Sequence, residues 1–161
     1  MTVEAILHLS EKTFFKELEF TIYGDGEYFD ELIKPLERFE NVNLFKEFLS
    51  QEEISKIHKE YGVFICPTRW DSQGVSMCEA MSSGLVPISN KVSAIPEFVT
   101  HLKTGLLAYP ESAVSLAYQI EKLYLDEDLF LNLSRNTASE IRNIADESIV
   151  ITKEMAVILN D

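Results

Sequence analysis

Residues 62–89 read GVFICPTRWDSQGVSMCEAMSSGLVPIS, and how this stretch is parsed sets the fold class. It opens on a continuous apolar run ending at Pro67, the pattern of a parallel strand covered on both faces. A polar loop follows. From Gly74 to Ser82 the apolar residues recur at helical spacing, and LVPIS (85–89) is a second apolar run. Strand, loop, helix and strand in that order make a parallel unit with a right-handed crossover.

The same alternation extends outward in both directions. Upstream, 2–17 reads as a helix carrying Val3, Ile6, Leu7 and Phe14. EFTIYGDG (19–26) reads as a strand entering a glycine turn, a helix carries Phe29 to Phe39, and NVNLF (41–45) is a short strand. Ser50 with Glu53 three residues later forms a capping box for a helix over 50–60. Downstream, TGLLAY (104–109) is a strand. Helices follow over about 112–126, 127–144 and 147–159, the last carrying Ile149, Ile151, Met155 and Ile158. The order predicts an α/β domain with a parallel sheet, in which 62–67 is a central, fully buried strand. The chain opens on a helix, whereas a doubly wound unit usually opens on a strand and a phosphate-binding turn, so a piece is expected ahead of residue 1.

Length and composition narrow the function classes. A chain of 161 residues suits one domain or half of a two-domain protein, and 46% hydrophobic residues can build a core. A formal charge of −13 argues against a nucleic-acid partner, which would require clustered Lys and Arg. There is no apolar run of the roughly 18 residues that a membrane span needs, and no signal-peptide pattern at the start, so a cytoplasmic protein is expected. Cys66 and Cys78 form no CxxC pair and read as small buried thiols.

In an open parallel sheet, ligands bind outside the carboxyl ends of the strands. The loops at that edge would be 24–26, 46–50, 68–74 and 89–97. Gly74 allows close backbone approach, and the helix after it turns its open N–H groups and positive dipole end toward the loop, an anion site that needs no metal. Glu79, inside that helix, and Asp71, before it, flank the anion position as acceptors for hydroxyl groups. A nucleotide sugar has hydroxyls at both ends and phosphates between. The competing reading is solvated surface charge.

At this point the residues resemble a known family. PTRWDSQGVSMCEAMSSGLVPISNKVSAIPEFVTHLKTGLLAYP (67–110) is similar to the motif of the retaining GT-B glycosyltransferases of group 1. In that motif a proline-ended strand leads into two acids separated by seven residues, then EAM with a glycine after it, then PE, then TGL. The resemblance covers residues 19 to about 125 and includes the upstream GDG. It implies a Rossmann-like three-layer α/β/α fold, one half of a GT-B enzyme, over 1–161, with its C-terminal helix at 147–161. Glu79 would bind the ribose hydroxyls of the nucleotide, and Asp71 would lie by the donor sugar as the catalytic residue. Gly74 and Val75 would offer N–H groups to the phosphates or sugar, with Ser72, Gln73 and Arg69 beside them. Glu47, Phe48 and Leu49 would touch the base, and Gly24 and Gly26 would line the same cleft.

The chain also departs from the pattern. Asp71 stands for a Glu, Gln73 for a Phe, and the basic glycine-rich element that neutralises the diphosphate is absent, as is the acceptor-binding domain. The resemblance therefore implies a donor-binding half truncated at its N-terminus, inactive by itself. The partners implied are a nucleotide sugar linked to UDP or GDP, without metal or other cofactor, and the missing N-terminal acceptor domain, which can bring peripheral membrane contact. The usual setting is bacterial surface polysaccharide synthesis. Two alternatives stay open: a nucleotide-sugar 2-epimerase, and a non-catalytic α/β binding module. Bland readings also stand beside the site residues. GDG can be a turn with Asp25 as an N-cap, Arg69 and Lys91 can pair with acids, Trp70 can be packing, Pro96 and Glu97 can shape a loop, and the histidines are scattered.

Overall fold

The computed structural model describes residues 1–72 and 74–159, with only the backbone at position 147. Among the described residues, five strands are all parallel to their neighbours: β1 (Phe20–Tyr23), β2 (Val42–Phe45), β3 (Val63–Cys66), β4 (Val86–Asn90) and β5 (Leu106–Ala108). They form two pieces, β1–β2 and β3–β4–β5. Between and after them run α1 (Thr2–Leu9), α2 (Phe29–Ile33), α3 (Gln51–Ile57), α4 (Val75–Ser82), α5 (Ile95–Phe98), α6 (Ala113–Leu125), α7 (Glu127–Ala145) and α8 (Glu147–Leu159).

Three layers result. On one face, Ile6 and Leu9 of α1 and Leu116 and Ile120 of α6 build a core against which Val63 and Ile65 pack. On the other, Met77 and Met81 of α4 and Ile141 of α7 gather Phe64 and Cys66. The period-two alternation of β3 thus sends successive side chains to two helical layers. The Rossmann-like α/β/α reading holds.

Local chemistry explains the boundaries. The helix expected over 2–17 ends at Leu9: the Ser10 hydroxyl donates to the Leu7 carbonyl at 2.7 Å, and the chain turns so that Phe15 enters the core. Pro35 cuts the second helix at Ile33, and a 3-10 turn over Lys34–Leu36 finishes it. The capping box forms as expected: Glu53 Oε2 accepts from the Ser50 N–H at 2.8 Å. Asp25 is not an N-cap; α2 starts after Tyr28 with no side-chain cap. The SSGL segment closes α4 in a Schellman motif, with the Leu85 N–H donating to the Ala80 carbonyl at 3.1 Å and the Gly84 N–H to that of Met81 at 3.0 Å. Gly84 takes the left-handed φ of 87° that the motif requires.

One expectation is corrected. β3 is not a fully buried central strand: all four of its residues are only half-buried, whereas all five of β4 are buried. The reason is that β3 has a strand partner on one side alone. At the other end of the chain, Ile151, Met155, Val157, Ile158 and Leu159 leave an apolar surface of α8 exposed. Among the described residues, no helix is long and apolar enough to cross a membrane.

Candidate functional site

The sheet's carboxyl edge carries two adjoining hollows. The larger, about 830 Å3, is lined by Gly24 after β1, Glu47, Phe48 and Leu49 after β2, and Ser76 and Glu79 of α4. It also reaches down between β1 and β3. The smaller, about 310 Å3, is lined by Pro67, Thr68, Asp71, Gly74 and Ile95. Thr2 and Ser76 line both. The structure therefore brings together Glu79, Gly24, Phe48 and Leu49 in one hollow, and Asp71 and Gly74 in the next.

Gly74 has a left-handed φ of 67° and stands immediately before α4. A Cβ there would lie 3.1 Å from Met77 Cε and 3.2 Å from Ile95 Cδ1. Backbone conformation and close packing both ask for glycine. Its N–H, expected to face a ligand, donates instead to Asp71 Oδ1 at 2.5 Å. Asp71 thereby ties the loop to the helix start, and α4 presents its N-terminus, the positive end of its dipole, at the hollow lined by Gly74 and Ser76.

The loop is held from two more sides. The Ala94 N–H donates to the Asp71 carbonyl at 3.4 Å, and Asn90 Nδ2, buried at the end of β4, donates to the Thr68 carbonyl at 2.9 Å. Pro96 and Glu97 lie in α5, with the proline at its start, so the reading that they shape the loop stands.

Both carboxylates act on one thiol of α4. Burial raises the pKa of the Cys78 thiol on α4, and the charges of Asp71 and Glu79 push it the same way. Burial also pushes the Cys66 thiol up to about 12. Both cysteines are free, as expected, and held as thiols rather than thiolates. His58, buried beside Phe64, has its pKa lowered by burial, an effect that the Glu79 carboxylate partly offsets.

Other expected residues stay outside both hollows. Arg69 is exposed, with Nε 3.4 Å from Glu111 Oε1, so it pairs with an acid other than Asp71. Ser72, Val75, Gly26 and Lys91 are exposed and line neither hollow. Trp70 is 83% exposed, which removes the packing reading. Gln73 lies outside the described residues. Thr2, Ser76 and His58 were not singled out in the sequence. Only Ser76 had a signal there, since it shares a helical face with Glu79 at a spacing of three.

The family model for glycosyl transferases group 1 matches residues 2–140. A sulfoquinovosyl transferase of Arabidopsis thaliana is 28% identical over 131 residues, 78% of this chain and 25% of that protein. The C-terminal domain of a glycosyl transferase group 1 family protein from Francisella tularensis superposes with a TM-score of 0.75 at 21% identity, covering 88% of this chain and 76% of that one. Anabaena HepE, solved in complex with UDP and glucose, gives a TM-score of 0.78 at 18% identity over 98% of this chain and 44% of its own. The chain spans less than a third of the length of the first curated relatives that it matches.

Proposed function

The chain belongs to the glycosyl transferases group 1 family, and on that footing we propose that it is the donor-binding half of a retaining GT-B glycosyltransferase. One observation carries the reading: Glu79 and Ser76 open onto the same hollow as Gly24, Phe48 and Leu49, while Asp71 and Gly74 line the adjoining one. A nucleoside would lie in the larger hollow, with its ribose hydroxyls donating to Glu79 and its base against Phe48 and Leu49. The diphosphate would rest at the start of α4, where the helix dipole favours negative charge without a bound cation. The sugar would then sit over Asp71.

Chemically, this arrangement stabilises a leaving group. As the bond from the anomeric carbon to the diphosphate breaks, charge develops on phosphate oxygens next to fixed N–H donors. Asp71, anchored by the Gly74 N–H, would hold a sugar hydroxyl in place. Being a methylene shorter than Glu, it would keep that hydroxyl close to the loop. The acceptor would come from a second domain on the N-terminal side, which can also supply peripheral membrane contact. The donor would be a UDP- or GDP-linked sugar, and the setting bacterial surface polysaccharide synthesis.

A label-transfer assay tests the proposal. Given UDP- or GDP-linked sugars and a lipid or saccharide acceptor, the 161-residue chain alone is expected to transfer nothing, and a polypeptide that includes the acceptor domain is expected to transfer with retention. Transfer by the chain alone would contradict the half-enzyme reading. Interconversion of epimers at the sugar C2 would move the assignment to an epimerase.

A further inference from the structure

The end of the larger hollow formed by the loops after β1 and β2 has a one-sided chemistry. The Gly24 N–H donates to the Phe45 carbonyl at 3.1 Å, so the chain leaves the two strands side by side. In the second loop, Lys46 Nζ pairs with Asp30 Oδ2 of α2. That pair fastens the loop to α2, and both elements line the hollow.

The walls here are apolar and uncovered. Phe48 is 81% exposed and Leu32 of α2 is 62% exposed, although both line the hollow. Tyr23 stacks on Phe45 with ring centroids 4.8 Å apart and an interplanar angle of 13°, which holds its ring in the wall. Large side chains left in water beside a cleft are stabilised when a flat ring covers them.

One side chain at this end is charged. Of the acids that line the hollow, Glu19 stands before β1 and accepts from Asn43 Nδ2 at 2.9 Å, and Glu79 stands in α4. That leaves Glu47, next to Phe48, at the base end. Lys46 is engaged by Asp30, and among the described residues no Lys or Arg pairs with Glu47 or lines the hollow. Burial raises the pKa of the Tyr23 phenol, and Tyr61 and the charge of Glu47 push it the same way. The carboxylate therefore acts on the wall that Tyr23 forms.

A carboxylate only accepts hydrogen bonds, and its two oxygens are both satisfied by an edge that presents two N–H donors side by side. Guanine has such an edge, with N1–H next to the N2 amino group. Uracil sets its single N–H between two carbonyls, whose lone pairs would face the carboxylate. Adenine and cytosine set their amino group beside a bare ring nitrogen, which is again an acceptor. Guanine fits all of Glu47, and the others leave an oxygen unpaired or repelled.

We propose that Glu47 selects the base, and that the donor is a sugar linked to guanosine diphosphate. Glu47 would accept from N1–H and N2–H while Phe48 and Leu32 cover the ring. The proposal rests on the reading of this hollow as the nucleoside site.

Calorimetric titration of the chain with GDP, inosine diphosphate and UDP separates the two claims. Inosine diphosphate keeps N1–H and lacks the N2 amino group. GDP is expected to bind about tenfold or more tightly than either, the size of one charge-assisted hydrogen bond. Glu47→Gln should weaken GDP about tenfold and narrow its lead over UDP, because an amide offers uracil one donor and one acceptor. Glu47 is exposed, so this variant should melt with the parent chain; the inosine comparison needs no variant at all. UDP bound as tightly as GDP, equal affinity for GDP and inosine diphosphate, or unchanged GDP affinity in Glu47→Gln overturns the selection and leaves the nucleoside site standing. Binding of none of the three overturns both.

Discussion

β3 and β4 are neighbours with similar apolar composition and different fates. VFIC and VPISN pair in parallel, with Ile65 opposite Ile88, yet β4 is buried throughout and β3 is half-buried throughout. β4 has a strand on each side, whereas β3 has β4 on one side and the larger hollow on the other. Apolarity reports that a strand is covered by helices on its faces. It does not report how many strands pair along its edges, because edge pairing uses the backbone, which every residue shares.

The largest effect should break this comparison if it is wrong. Ile88→Ala is expected to cost about 2 to 5 kcal/mol, as for a fully buried aliphatic side chain, and Ile65→Ala about half of that or less, because Ile65 is only half-buried. Equal losses in urea unfolding would show that β3 is as enclosed as β4.

Next in size is the loop that leaves β3. Gly74→Ala forces a left-handed φ on a residue with a Cβ and presses on Met77 and Ile95, so a loss of about 1 to 2 kcal/mol is expected. A neutral thermal melt would contradict the backbone account. Asp71→Ala removes the acceptor of the Gly74 N–H and should cost about 1 kcal/mol.

Smaller still is a pH effect on the half-buried side. His58 packs edge-on against Phe64 of β3, with ring centroids 5.9 Å apart, and burial lowers its pKa in the folded state. The unfolded imidazole titrates near about 6.5. Stability is thus complete above that pH and falls as pH drops toward the folded-state value, since the unfolded chain binds the proton first. His101 is shifted in the same direction, so the informative quantity is the difference from His58→Gln. That variant should lose part of the acid-side slope in melts between about pH 7 and about pH 5. An unchanged slope would contradict the assignment. The smallest effect belongs to Arg69→Ala, whose exposed pair with Glu111 should be worth less than about 0.5 kcal/mol.

The sequence made parts of this molecule legible because local chemistry determines them. The Ser50–Glu53 box, the glycine closing α4 and the βαβ unit around 62–89 each follow from side-chain and backbone rules acting within a few residues. The grouping of Glu79 with Gly24, Phe48 and Leu49 was legible through the resemblance. What local chemistry could not supply was edge pairing, hence the burial expected of β3, and tertiary choices among equal partners. Arg69, which the sequence let pair with any acid nearby, took Glu111. Ser10 stopped α1 because the chain could bury Phe15 by turning. Thr2 reached the site only through the packing of α1 against the sheet.

The central claim is that Glu79 and the start of α4 hold a nucleoside diphosphate. Calorimetric titration of the chain with UDP and with GDP, repeated for Glu79→Gln and Asp71→Asn, tests it most directly. The account predicts weak binding of one of the two nucleotides. It further predicts that Glu79→Gln weakens binding about tenfold or more, as for a charge-assisted hydrogen bond, and that Asp71→Asn weakens it by less. Binding of neither nucleotide, or equal losses in the two variants, would contradict it.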